Sequence, residues 1–205
     1  MKMLEKSAVD FLSELSSSAP VPGGGGASAA VGAFAAALGM MVTNLTIGKK
    51  KYADYEDDVK AVREHLESLR DQLIDLVDAD AVAFAPLSKA YSIPKDNPER
   101  DTIMENALYE ASVVPLRIME TVLAAAKALD VLVEKGSKLA ISDVGVGILF
   151  AQAAIEGASL NVFINTKSMQ NRDRAAELDA KANAIIAEGA ALKERIYSGV
   201  LAAMK

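Results

Sequence analysis

The sequence has no cysteine, no tryptophan and one histidine, and only 5% of its 205 residues are aromatic. Without cysteine there is no disulfide, no thiolate metal site and no thiol nucleophile. With His65 as the sole imidazole, a histidine-built triad has no support and a His/Cys zinc site is excluded. His65 flanks a helical seam between Glu64 and Glu67 and reads as a surface residue. Carboxylate, amide and lysine chemistry remains. Hydrophobic residues make up 51% with few rings among them, so the core is expected to be aliphatic and small. The net charge of -6 argues against a general nucleic-acid binder. Met1 to Glu5 carry no long apolar run with a cleavage signal, so a cytoplasmic protein is the default expectation. The length suits one domain, residues 1–205. No strand pattern, repeat or low-complexity tail is evident.

Charge is also missing from Gly23 to Ile47. Pro20-Val21-Pro22 leads into Gly23, Gly24, Gly25 and Gly26, where the absence of Cβ atoms allows a tight turn and close approach of another group. Ala27 to Ile47 then reads as a helix buried on every side, with Gly32, Ala36 and Gly39 recurring at helical spacing. Gly48 is the expected stop, and Lys49, Lys50 and Lys51 suit the negative end of the helix dipole. Three readings of this stretch stand open: a core helix with a solvated basic cap, a membrane span, and a binding element. Against a span, Ala and Gly are weakly apolar and Ser28, Thr43, Asn44 and Thr46 interrupt the run. For a binding element, glycines at a helix N-terminus favour an anion or polar ring edge, and the lysines favour polycarboxylates. The glycines match neither nucleotide-loop pattern and follow no strand.

The rest of the chain is helical in pattern. Ser7 with Asp10 approximates a capping box, ahead of an apolar face of Phe11, Leu12 and Leu15. Val59, Val62, Leu66, Leu69, Leu73, Leu76, Ala83, Leu87 and Ala90 form a bundle seam in which position 80 should be apolar and is Asp80. Asp78 should point elsewhere, to solvent or another subunit. Pro86 is expected to kink this helix at Val82. A helix from about Pro98 to Lys135 is divided by Pro115 and stopped by Gly136. Ser142 and Asp143 open another almost uncharged helix, as cap and first-turn anion, running to about Thr166. A more solvated helix runs from about Asn171 to Met204. The expectation is an all-α bundle of about six helices. Two nearly uncharged helices are much to hide in one small bundle, and a two-fold dimer would cover them.

Several residues carry both a structural and a functional reading. Asp80 is a buried carboxylate satisfied by a cap or a lysine, or an acid whose pKa burial raises for proton transfer near neutrality. Asp143 is a helix-start anion or a second site acid. Asn161 and Asn165 share one face, and with Asn44 they are buried amides or ligand contacts. Tyr52 packs on a ligand ring or covers the core.

Pro22 to Gly26, the Ala-rich helix and Asn44-Leu45-Thr46-Ile47-Gly48-Lys49-Lys50-Lys51-Tyr52 resemble the formiminotetrahydrofolate cyclodeaminase family, which includes stand-alone bacterial methenyltetrahydrofolate cyclohydrolases. The resemblance continues through Asp78-Ala79-Asp80-Ala81 with Phe84, Ile93-Pro94-Lys95, Val114-Pro115-Leu116, Ser142-Asp143, and Asn161-Val162 with Ile164-Asn165. Gly26 is more like the stand-alone cyclohydrolases, since the family's glycine run often ends in Ser. The resemblance implies chemistry at the N5–C–N10 bridge of tetrahydrofolate, with Asp80 as the catalytic acid/base. It implies that the glycines admit the ligand, that Asn44, Asp143, Asn161 and Asn165 orient the pterin, that Lys49, Lys50 and Lys51 hold the glutamate tail, which can be polyglutamylated, and that Ser142 and Tyr52 also contact the ligand. The expected activity is 5,10-methenyltetrahydrofolate cyclohydrolase, with 5-formiminotetrahydrofolate cyclodeaminase as the alternative and a non-catalytic folate- or helix-binding dimer as a third reading. No metal, no cofactor beyond the folate substrate, no nucleic acid and no membrane is implied.

Overall fold

Small residues govern how this chain packs. A computed structural model describes residues 2–205. Six α-helices follow in order: α1 Ala8–Leu15, α2 Gly24–Thr46, α3 Glu56–Ala90, α4 Arg100–Lys135, α5 Ile141–Thr166 and α6 Arg172–Met204. Short 3-10 turns at Met3–Glu5, Lys50–Tyr55 and Lys138–Ala140 join them, and no strand occurs among the described residues. The Ser7 hydroxyl accepts the Asp10 N–H and caps α1; the Asn171 side chain does the same for α6 through Arg174. Gly48 has φ +75, the left-handed conformation that ends α2. Gly136 ends α4.

Helix α2 lies at the centre, against α3, α4 and α5. Its small residues set the separation. A Cβ added at Gly32 would stand 2.5 Å from Val122 Cγ2 of α4, and one at Gly39 would meet Leu66 of α3 at 2.7 Å. Helices α2 and α5 run antiparallel, because Gly24 faces Asn161, Ser28 faces Gly157, and Ala35 faces Gly147. The α3 seam holds: Val59, Leu66, Leu69, Leu73, Leu76, Leu87 and Ala90 are buried. His65 is exposed, as expected.

Five expectations need correction. The glycines do not form a loop: Gly24 to Gly26 are the first turn of α2, with Gly23 as an extended N-cap. Tertiary contacts over-ride glycine's poor helix propensity there. Helices α2 and α5 are not buried on every side. Phe34 (57% exposed), Met41 and Leu45 on α2, and Val146, Leu149, Phe150, Leu160 (67%) and Ile164 on α5 face outward. Ser142 does not cap α5, which starts at Ile141 after the preceding turn, leaving Ser142 exposed in its first turn. Asp78 is not directed to open solvent: it accepts the Met3 backbone N–H at 3.1 Å and ties down the N-terminal turn. Helices α3 and α4 continue through Pro86 and Pro115.

By length and hydropathy Gly24–Thr46 and Lys138–Thr166 are each sufficient to cross a membrane. Most of each apolar window is buried within the bundle, 67% and 56%, which accounts for the composition without a bilayer.

Gly32→Val should lower stability by about 1–3 kcal/mol through overpacking against Val122. Thermal denaturation at fixed protein concentration reads this as a fall in Tm of roughly 2–4 °C per kcal/mol.

Candidate functional site

The seam of α3 points Asp80 at the first turn of α2. The Gly26 N–H donates to Asp80 Oδ2 at 2.9 Å. That N–H belongs to the first turn of a helix, where backbone donors have no intrahelical acceptor and the dipole favours an anion. The approach requires glycine. A Cβ at Gly25 would stand 2.6 Å from Asp80 Cγ and Oδ2 and closer still to Oδ1. No lysine or arginine pairs with Asp80 among the described residues. Burial raises its pKa above the ordinary 3.8, and the Gly26 N–H offsets part of that rise.

Asp80 lines a cavity of about 210 Å³ with Gly23, Gly24, Phe84, Pro115, Asn161 and Asn165. Phe84 comes from one turn further along α3, as a helical neighbour of Asp80 should. Pro20, Val21, Ala111 and Ile164 complete the wall. Asn161 donates Nδ2 to Gly157 O of its own helix at 3.0 Å. Asn165, buried, donates Nδ2 to Ala111 O of α4 at 2.9 Å. The site is thus a raised-pKa carboxylate, two amides and a phenyl ring around a small, mostly apolar space. That set can hold a flat polar heterocycle and move a proton at one of its atoms.

Five of the sequence-derived residues therefore meet around one cavity: Gly23, Gly24, Asp80, Asn161 and Asn165. Gly25 and Gly26 lie beneath them as the carboxylate's support. Asn44, Lys49, Lys50, Lys51, Tyr52, Ser142 and Asp143 are not brought to it within the chain. Asn44 lies roughly 30 Å from Gly24 along α2, at 1.5 Å per residue. These residues gather at the opposite end of the bundle. The Tyr52 hydroxyl accepts the Lys138 N–H at 2.9 Å, and Thr46 Oγ1 accepts the Ser137 N–H at 2.8 Å. The Lys138 N–H lowers the Tyr52 pKa. Asn44 and all three lysines are exposed there. Sequence reasoning missed Ala111 as a lining residue and took Pro115 only as a divider. Their i, i+4 spacing was the available signal, because a proline frees the carbonyl four residues before it.

A roomier cleft of about 480 Å³ lies between α1, α2 and α3. Apart from Lys6 and Arg70, which are paired with Glu14 and Asp71, its wall is apolar, so it offers no proton-transfer group. No group of three or more His, Asp or Glu gathers to hold a metal ion among the described residues.

Comparison with known proteins follows the same lines. The sequence profile described as formiminotransferase-cyclodeaminase matches residues 7–184. A protein of Methylorubrum extorquens named methenyltetrahydrofolate cyclohydrolase is 43% identical over 93% of both chains. The formimidoyltransferase-cyclodeaminase of Mus musculus is 34% identical over 82% of this chain, and the match spans only 32% of that longer protein. The crystal structure of formiminotetrahydrofolate cyclodeaminase from Thermotoga maritima superposes with a TM-score of 0.90 at 28% identity, covering 98% of this chain and all of that one.

A carboxyl whose pKa rises on folding holds its proton more tightly in the folded chain. Folded-state stability therefore falls as pH climbs from the unfolded value towards the raised one, and the loss is complete above it. Asp80→Asn should raise Tm at pH 7, and the gain should disappear at about pH 3, below the unfolded pKa. Equal Tm values for the two proteins across that range would show that burial does not strain Asp80.

Proposed function

This chain belongs to the formiminotransferase-cyclodeaminase family, and on that basis we propose that it hydrolyses 5,10-methenyltetrahydrofolate to 10-formyltetrahydrofolate. One observation supports the chemistry above the rest: a single carboxylate, unpaired by any cation among the described residues, is held on a helix N-terminus at the wall of a cavity that also presents two amides. Higher identity to the bacterial cyclohydrolase than to the longer cyclodeaminases favours hydrolysis.

The methenyl carbon between N5 and N10 is an electrophilic amidinium. Asp80, ionised, takes a proton from an attacking water as the O–C bond forms. The resulting carbinolamine collapses to the formyl group as the C–N5 bond breaks, N5 receives the proton from Asp80, and the remaining hydroxyl proton leaves to solvent. A raised pKa suits a group that must both take and return that proton. Asn161 and Asn165 would orient the pterin and Phe84 would pack on it. In the second reading, favoured by the Thermotoga likeness, N10 attacks a 5-formimino carbon and the adduct loses ammonia. The same carboxylate would serve. Neither course calls for a cofactor other than the folate.

The cavity is smaller than the ~300–1,000 Å³ typical of clefts that enclose a drug-sized ligand. A two-fold dimer through the exposed faces of α2 and α5 would enlarge it. Paired antiparallel across that face, one protomer would bring its Asn44, Lys49–Tyr52 and Ser142–Asp143 end towards the other's Asp80. The lysines would then meet the folate's glutamate carboxylates, and Tyr52 and Asp143 would stand near the same ligand. Eight large apolar side chains on that face are otherwise left to water, which supports the pairing.

Offered both folates separately, the protein should consume methenyl absorbance with the first and release little ammonia with the second. Asp80→Asn should lower kcat by about two to four orders of magnitude without loss of folding; near-normal turnover would remove Asp80 from the mechanism. Sedimentation velocity should give a dimer that Phe34→Glu dissociates, with turnover lost in parallel. A fully active wild-type monomer would dispose of the shared site.

A further inference from the structure

Pro115 stands in the middle of α4 with no N–H to give to the carbonyl four residues earlier, that of Ala111. Ala111 is only 5% exposed, so its carbonyl is largely withdrawn from bulk solvent. Its partner comes from another helix: Asn165 of α5, 8% exposed, donates Nδ2 to Ala111 O at 2.9 Å. All three residues line the cavity that holds Asp80. We propose that Pro115 is a positioning residue for the folate ligand, acting through the Ala111 carbonyl to fix which way the Asn165 amide faces.

A side-chain amide carries a donor and an acceptor on a nearly symmetric fork, and a ligand reads one or the other according to how the fork is turned. A backbone carbonyl can only accept. Once proline has freed the Ala111 carbonyl, Nδ2 must turn to it, and Oδ1 is left as the amide's open acceptor. No hydrogen bond to Oδ1 is made among the described residues. Asn161, one turn earlier, is turned alike by the Gly157 carbonyl. The wall therefore offers two amide oxygens in succession. That pattern selects a heterocycle edge bearing adjacent N–H donors, such as the amino group and ring N–H of a pterin, over an edge that only accepts. This assignment rests on the folate reading above and adds the polarity of recognition to it.

A double-mutant cycle on the full-length protein tests it with two readouts. Asn165→Ala should raise KM about tenfold with kcat little changed, the sign of binding lost equally in ground and transition states. Pro115→Ala returns an N–H to α4, draws the Ala111 carbonyl back into the helix and should raise KM about fivefold. The double variant should be no worse than Asn165→Ala, because both act through one group. In stability, Asn165→Ala should lower Tm by roughly 2–6 °C in the wild-type background, where it orphans a buried carbonyl, and by clearly less in the Pro115→Ala background. Pro115→Ser serves the same cycle if Pro115→Ala does not fold. Additive effects on KM overturn the positioning role, and additive effects on Tm overturn the carbonyl link itself. A wild type that turns over neither folate while the Tm effects stay non-additive overturns the functional reading and the ligand role, leaving a structural brace.

Discussion

The hydrogen bond from Gly26 N–H to Asp80 Oδ2 is the constraint to which the rest of the structure answers. It joins positions 54 residues apart and brings the start of one helix onto the middle of another. The carboxylate needs it, since burial opposes its charge and this N–H is the compensation the protein supplies. The contact in turn needs glycine at 25, where any side chain would occupy the volume of the carboxyl group. A helix that begins with glycines is poorly nucleated on its own. Its order comes from being packed on three neighbours along its whole length, and the small residues at 32, 36 and 39 permit that packing.

Close packing of this kind has a cost in coverage. Ala and Gly let backbones approach but fill little space, so helices α2 and α5 present their larger residues outward instead. Phe34, Met41, Leu149, Phe150, Leu160 and Ile164 form that outer layer. The same antiparallel arrangement separates the polar side chains into two ends of the chain's bundle: carboxylate and amides at one, lysines and the Tyr52 phenol at the other.

Much of this was legible beforehand. An acid in register with leucines marked Asp80, because the period of the α3 seam leaves no other face for position 80. Gly48 and Gly136 marked helix ends, and Ser7 and Asn171 marked beginnings, since each cap depends on a few neighbouring residues. What was illegible had physical reasons. A run without charge has no contrast between its faces, so the exposed stripes of α2 and α5 could not be told from the buried ones. Glycine's propensity argued for a loop at 24–26, and tertiary contacts, among them those with Asp80, Val77 and Asn161, accompany its helical form. Asn44 and the lysines follow the glycines closely in the family-like pattern, yet a straight helix lies between and carries them to the far end. The link between Pro115 and Asn165 crosses two helices and left no periodic trace.

At that far end, Thr46 receives the Ser137 N–H and Tyr52 receives the Lys138 N–H, so the segment after α2 is fastened to the segment before α5. The basic segment is consequently not a free flap. Its backbone is pre-set by two anchor points, and the entropic penalty of ordering it is met during folding, before any ligand arrives. Capture of an anionic tail at this end would then proceed as the docking of a preformed surface, with a rate set by diffusion and ionic strength instead of by the folding of a loop.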